Sequence, residues 1–242
     1  MLVWLTTKSN IMTFSLFLQL VAGICWTVAY LKIIRLGFQQ KTYGMPLFAL
    51  ALNFSWEIAA GINSFTNPSG VDPQGYINLT WCLLDVLILY TYFRYGYQYF
   101  PKQFGRKGFI SWSLLSLLCG FAINYGFIFE FNQFKGIVLD SIALEYTAAL
   151  SNVLMSVLFI DMFVRRKGME GQSISIGVSK WIGTFSSWLT LRSNPLIFCT
   201  GPLCFIFDAI YVTLLVQENL KNARNSEQSD IKTLNNQPQT LA

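Results

Sequence analysis

Long apolar runs separated by short polar connections organise this chain. Seven such runs occur, at about 13–36, 45–64, 76–97, 108–129, 137–164, 174–191 and 196–217, each near the ~20 residues that a helix needs to cross a bilayer. The pattern predicts an all-α polytopic membrane protein, a seven-transmembrane-helix bundle over 13–217. An N-terminal extension at 1–12 precedes it and a polar tail at 218–242 follows. The first run is too long for the apolar core of a cleavable signal peptide, and no clear small-residue cleavage site comes after it. Lys180 and several serines and threonines dilute the sixth run. The tail is polar and turn-rich and is expected to be disordered.

Composition agrees with the pattern: of the 242 residues, 53% are hydrophobic and only 12% charged, where soluble domains carry about 25% charged residues. The net charge of +5 changes the picture only through its placement. Lys32, Arg35 and Lys41 flank the first connection, Lys102, Arg106 and Lys107 the third, and Arg165, Arg166 and Lys167 the fifth. Clusters at alternate connections follow the positive-inside rule, so the N-terminus is expected outside and the C-terminus in the cytoplasm. This is a topology signal and implies no nucleic-acid partner. The compartment is expected to be the plasma membrane in a bacterial cell and the endoplasmic reticulum in a fungal one. The chain has five cysteines without metal-type spacing and no histidine, which argues against zinc sites and histidine-based triads. No metal and no cofactor are expected.

Four acids lie inside the runs: Glu57, Asp85, Glu145 and Asp208. An ionisable group at a helix centre costs about 2.5–3.5 kcal/mol on the mildest insertion scale, so all four should face inward. Helical spacing gathers other polar, small and aromatic residues beside them. Asn53, Trp56 and Glu57 share one stripe; Asn78, Trp81 and Asp85 another; Ser141, Glu145, Asn152 and Ser156 a third; Gly201, Cys204, Asp208 and Tyr211 a fourth. Gln19, Gly23, Trp26 and Tyr30 form a further stripe on the first run. At a rise of ~1.5 Å per residue the acids fall about 10–18 Å from the outer end of their helices, within reach of one shared cavity. Such a pocket, apolar and aromatic with a few polar groups, has the make-up of a small-molecule site. Polar and small residues are also ordinary glue between membrane helices, and aromatic stripes are also interface belts.

Burial disfavours a carboxylate, so an acid in an apolar chamber can remain a proton donor near neutral pH. It could protonate an epoxide or alkene. Aromatic faces would then stabilise the carbocation, dryness would prevent quenching, and a second acid or a carbonyl would take the last proton. A proton-coupled small-solute transporter also places acids at mid-membrane and is the alternative reading. A retinal receptor fits less, because the seventh run has no lysine.

The stretch QQKTYGMPLFALALNFSWEIAAG at 39–61 resembles the second-span signature of the small integral-membrane terpene cyclases of fungal meroterpenoid and indole-diterpene pathways and their bacterial relatives. A Thr-Tyr-Gly-Met run opens that signature and Asn-x-x-Trp-Glu closes it. LRSNPLIFCTGPLCFIFDAIY at 191–211 resembles the last-span block of the same family. The resemblance implies seven helices, a lipophilic prenylated small-molecule substrate in a surround of membrane lipid, and an essential acid pair falling on Glu57 and Asp208. Asn53 and Trp56 match the first motif, with Asn53 one turn before Glu57 and expected to hydrogen-bond it. Arg192 and Asn194 match the second block more loosely, and Glu145 matches a fifth-span acid. Asp85, Trp26, Trp81 and Tyr211 are expected to support the pocket. Asp208 is expected to complete the pair across the cavity. The motifs leave the oligomeric state open.

Overall fold

The structure, a computed structural model, describes residues 2–66, 73–135 and 141–235. Among these there are seven α-helices: α1 Leu2–Gln40, α2 Leu47–Phe65, α3 Pro73–Tyr95, α4 Gly105–Lys135, α5 Ser141–Arg166, α6 Ile174–Leu191 and α7 Pro195–Asn235. Two short 3-10 turns, Gly96–Tyr99 and Lys102–Phe104, join α3 to α4, and no strand occurs among the described residues. Residues 137–140, where the fifth span was expected to begin, lie outside the described set, as do 236–242.

The expected ends of the bundle differ from the observed ones. The residues assigned to an N-terminal extension continue α1 to Leu2, and α7 runs through the polar tail to Asn235. Between Leu2 and Ala22, and between Gln217 and Asn235, there is no proline or glycine, so nothing breaks the helix when it leaves the apolar stretch. Hydropathy marks where a membrane ends, not where a helix does.

Among the described residues five helical stretches, two of them taking in a 3-10 turn, are long and apolar enough to cross a membrane: Phe14–Gln40, Gln74–Tyr99, Lys102–Phe131, Ile142–Arg166 and Pro195–Gln228. The two remaining helices, α2 and α6, have 19 and 18 residues. Each carries polar groups that lower its hydropathy and that the bundle buries, Ser55 and Glu57 on α2 and Lys180, Thr184 and Ser186 on α6. The outer helices show the reverse distribution: Ile24, Leu83 and Leu118 are each more than 60% exposed, at 64%, 61% and 64%. An apolar exterior of this extent fits lipid and not water. The chain is an integral membrane protein.

Polar groups hold the interior together. On α4, Asn124 Nδ2 donates to Leu52 O at 3.0 Å and to Ser55 Oγ at 2.6 Å on α2, the kind of interhelical bond that replaces a hydrophobic driving force in lipid. Ser173 caps α6 by accepting from Ile176 N at 3.2 Å, and Asn194 Oδ1 accepts from Leu196 N at 3.0 Å at the start of α7, with Pro195 in the first turn.

At the end where α1 passes into α2, the Thr-Tyr-Gly-Met motif forms a knot. Thr42 Oγ1 and Tyr99 Oη lie 2.7 Å apart. The Arg166 guanidinium stacks 4.2 Å from the Tyr43 ring centre and 4.4 Å from that of Tyr99, and donates to Tyr43 O at 2.7 Å. Gly44 is required at its position: a Cβ there would come within 2.6 Å of Gly171 O. This motif therefore fastens the α1–α2 turn to the α5–α6 turn.

Arg166→Ala removes the hydrogen bonds and both cation–π contacts, and is expected to destabilise the bundle by roughly 2 kcal/mol, read as a lower melting temperature in detergent. An unchanged melting temperature would show that the knot contributes nothing.

Candidate active site

A cavity of about 520 Å³ opens between α1, α2, α3, α5, α6 and α7, near the end where α2 and α6 finish and α3, α5 and α7 begin. Its wall holds four tryptophans, one each from α1, α2, α3 and α6: Trp26, Trp56, Trp81 and Trp188. Toward the helix ends the lining turns to amides, with Asn63, Gln74 and Asn78.

Each indole is fixed locally. Trp56 Nε1 donates to Leu144 O at 2.8 Å and Trp81 Nε1 to Thr27 Oγ1 at 3.0 Å. Tyr30 stacks on Trp81 with centroids 6.3 Å apart and an interplanar angle of 11°. Trp26 and Trp188 are seated against glycines: a Cβ on Gly183 would lie 2.9 Å from Trp26 Cδ1, and one on Gly201 would overlap the Trp188 indole.

Glu57 lines this cavity, is 3% exposed, and has an Oε2 atom without a hydrogen-bond partner among the described residues. Asp85 acts on it electrostatically. Asp85 itself is fully buried and does not line the cavity. Its Oδ2 accepts from Asn53 Nδ2 at 2.7 Å, and the same amide donates to Tyr30 Oη at 2.5 Å. The expected bond from Asn53 to Glu57 is therefore replaced: the amide is engaged by Asp85 and Tyr30. Asn53, Trp26, Trp56, Trp81 and Glu145 all line the cavity, Glu145 from the α5 wall with Asn152.

Asp208 does not lie on the cavity wall; Cys204, one turn earlier on α7, does. Asp208 is 1% exposed, and its Oδ1 accepts from Lys180 Nζ at 2.6 Å. The ammonium also donates to Ser156 Oγ at 2.7 Å, joining α5, α6 and α7, and lies 6.0 Å from the Trp26 ring. The structure thus replaces an acid pair across the cavity with an acid in the cavity and an ion pair behind it. The sequence reading missed the role of Lys180, although a lone ammonium inside an apolar run must find a buried acid on another helix.

Three other expected residues fall elsewhere. Tyr211 is buried beside Phe159 and donates from Oη to Gln172 Oε1 at 2.8 Å. Arg192 is exposed at the end of α6, and Asn194 serves as the cap of α7. The places of Arg192 and Asn194 in the sequence block reflect the geometry of the α6–α7 turn.

The fold and the cavity define an all-helical membrane protein with an aromatic chamber and two acids on its wall, Glu57 and the less buried Glu145. The chain belongs to the Pyr4-like transmembrane terpene cyclases, whose family model matches residues 7–195. Among its relatives, the Pyr4-family terpene cyclase mfmH of Annulohypoxylon moriforme is 26% identical over 165 residues, covering 67% of this chain and 64% of the relative. Terpene cyclase pyr4 of Aspergillus fumigatus is 24% identical over 212 residues, covering 81% and 83%. Terpene cyclase ascF of Acremonium egyptiacum is 28% identical over 179 residues, covering 67% and 61%. The chain thus spans somewhat less than two thirds of mfmH and ascF and most of pyr4.

Removing one member of a buried ion pair strands the other charge, at about 3–5 kcal/mol, whereas replacing both by apolar groups is often neutral. Asp208→Asn is therefore expected to lower the melting temperature in detergent sharply, and Lys180→Met with Asp208→Leu to recover most of the loss. A double variant no more stable than Asp208→Asn would remove the pairing explanation.

Proposed function

We propose that this protein is a transmembrane terpene cyclase that protonates an epoxide or alkene of a prenylated meroterpenoid or indole-terpenoid substrate and cyclises it through carbocations. The observation that carries the reading is Glu57, a nearly inaccessible carboxyl on the wall of a chamber holding four tryptophans, with no cation paired to it among the described residues. Of the two acids assigned by resemblance, Asp208 has an ammonium at 2.6 Å and Glu57 has none among the described residues. A carboxyl group with another carboxyl as its electrostatic neighbour is suited to carry a proton rather than a charge.

In this mechanism Glu57 delivers its proton to the terminal epoxide oxygen, the C–O bond breaks, and a tertiary cation forms. Neighbouring alkenes add in turn, each transferring the cation along the chain. The indole faces stabilise it through their quadrupoles. A proton is finally lost to the carboxylate left on Glu57 or to an adjacent acceptor, so the reaction is a net isomerisation. Tyr30, Asn53 and Asp85 fix the wall around Glu57. Asp208 acts through Lys180, whose ion pair sets the floor beneath Trp26.

Under the same reading all seven helices span the membrane with the N-terminus outside, and the cavity's amide-rich mouth lies near the outer face. The membrane is the endoplasmic reticulum of a fungal cell or the plasma membrane of a bacterial one. Family membership and the terpene cyclase names of the relatives support this reading.

Expressed in microsomes and supplied with a panel of epoxidised and plain prenylated aromatics, the wild type is expected to give cyclised isomers by mass spectrometry. Glu57→Gln, isosteric but without the acidic proton, should lower their formation by at least about 100-fold at unchanged abundance in the membrane. Cyclisation persisting undiminished in Glu57→Gln would refute the assignment.

A further inference from the structure

A second hollow, of about 490 Å³, lies at the opposite end of the bundle from the aromatic cavity. It forms where α1 ends, α3 passes through its 3-10 turns, and α4 begins. Four cations line it, Lys41, Arg94, Lys102 and Arg106, and among the described residues no acid does.

Topology alone requires positive charge at this end but not convergence, and other cations of this end are differently engaged. Arg165 pairs with Asp161 at 2.8 Å, and Arg166 is folded over Tyr43 and Tyr99. Among the described residues no carboxylate pairs with the four that line the hollow.

The hollow is also partly preset. Gln98 Nε2 donates to Lys41 O at 3.0 Å, and Lys41 adopts a left-handed backbone at φ 51°. Lys102 Nζ donates to Tyr97 O at 3.0 Å and sits 4.3 Å from the centre of the Tyr97 ring. These contacts bring cations from the α1–α2 turn and the α3–α4 connection to one place before any ligand arrives. The 31-residue α4 starts here at Gly105, so free backbone N–H groups of its first turn add to the positive potential. Tyr95 and Tyr97 in the same lining are residues of the kind that sit at headgroup level.

We propose that this hollow binds the phosphate of an anionic phospholipid from the surrounding leaflet. A phosphodiester offers acceptor oxygens to Arg94 and Arg106, for which guanidinium geometry is well matched, while its acyl chains remain in the bilayer beside α3 and α4. A zwitterionic lipid presents the same phosphate with a tethered ammonium, which the four cations repel. The site is thus selective for net-negative headgroups and independent of the cyclase chemistry.

The test uses full-length protein in detergent titrated with phosphatidylglycerol or phosphatidylcholine and read by native mass spectrometry. Wild type is expected to retain phosphatidylglycerol in preference to phosphatidylcholine. Arg94→Gln with Arg106→Gln should weaken phosphatidylglycerol retention by about thirtyfold. Lys107→Gln with Arg165→Gln, which removes the same charge outside the hollow, should leave it within a few-fold of wild type. Lys41→Gln with Lys102→Gln provides a second loss variant if the arginine pair does not fold. No preference for phosphatidylglycerol in the wild type, or an equal loss in the Lys107/Arg165 control, would overturn the site. Displacement of the lipid by millimolar inorganic phosphate would assign the hollow to a free anion and likewise overturn the lipid proposal.

Discussion

A charge buried between membrane helices must be answered by another group of the same protein, because neither lipid nor water is there to solvate it. The Lys180–Asp208 contact at 2.6 Å, with both side chains 1% exposed, is where this constraint acts most strongly. It ties α6 to α7, and Ser156 brings in α5. The cavity above it depends on that junction, since Trp26, Cys204 and Gly201 are placed by the same helices. The pair need not add net stability to have this role, because either charge alone would be costly to leave there.

The same constraint separates the acids by task. Asp208 has its charge matched, and Asp85 is held by the Asn53 amide, which reaches Tyr30 as well. Among the described residues Glu57 receives neither an ammonium nor that amide, and it lines the aromatic cavity with the less buried Glu145. Four indoles line the same space. The two ends of the bundle are likewise different in kind: one opens into an aromatic chamber with a rim of amides, the other is closed by the Tyr43–Arg166–Tyr99 knot beside a hollow lined by cations.

Much of the fold was legible along the chain because lipid imposes a length and a polarity on every segment that crosses it. The helix cores follow the apolar runs, and Glu57, Trp26, Trp56 and Trp81 lie on helix faces that turn inward as their spacing implied. The helix ends were less legible: α1 and α7 extend beyond the apolar stretch, since the signals that stop a helix are glycine, proline and capping groups and not polarity. The low hydropathy of α6 was visible too, but its meaning was not, because Lys180 reads as dilution until its partner is known.

By itself, the sequence determined that this is an all-helical membrane protein, that its buried acids face inward, and which family it belongs to, since composition, periodicity and short motifs are local properties. Only the tertiary structure decided which acid meets the cavity and which meets an ammonium. Asn53 is one turn from Glu57 along α2, yet its amide crosses to Asp85 on α3 and Tyr30 on α1, and Asp208 is one turn from the cavity-lining Cys204 yet faces Lys180. Helical spacing fixes the face on which a side chain lies. Its partner is set by how neighbouring helices are rotated and offset, and that is settled by packing contacts such as those at Gly44, Gly183 and Gly201, which no single run of residues contains.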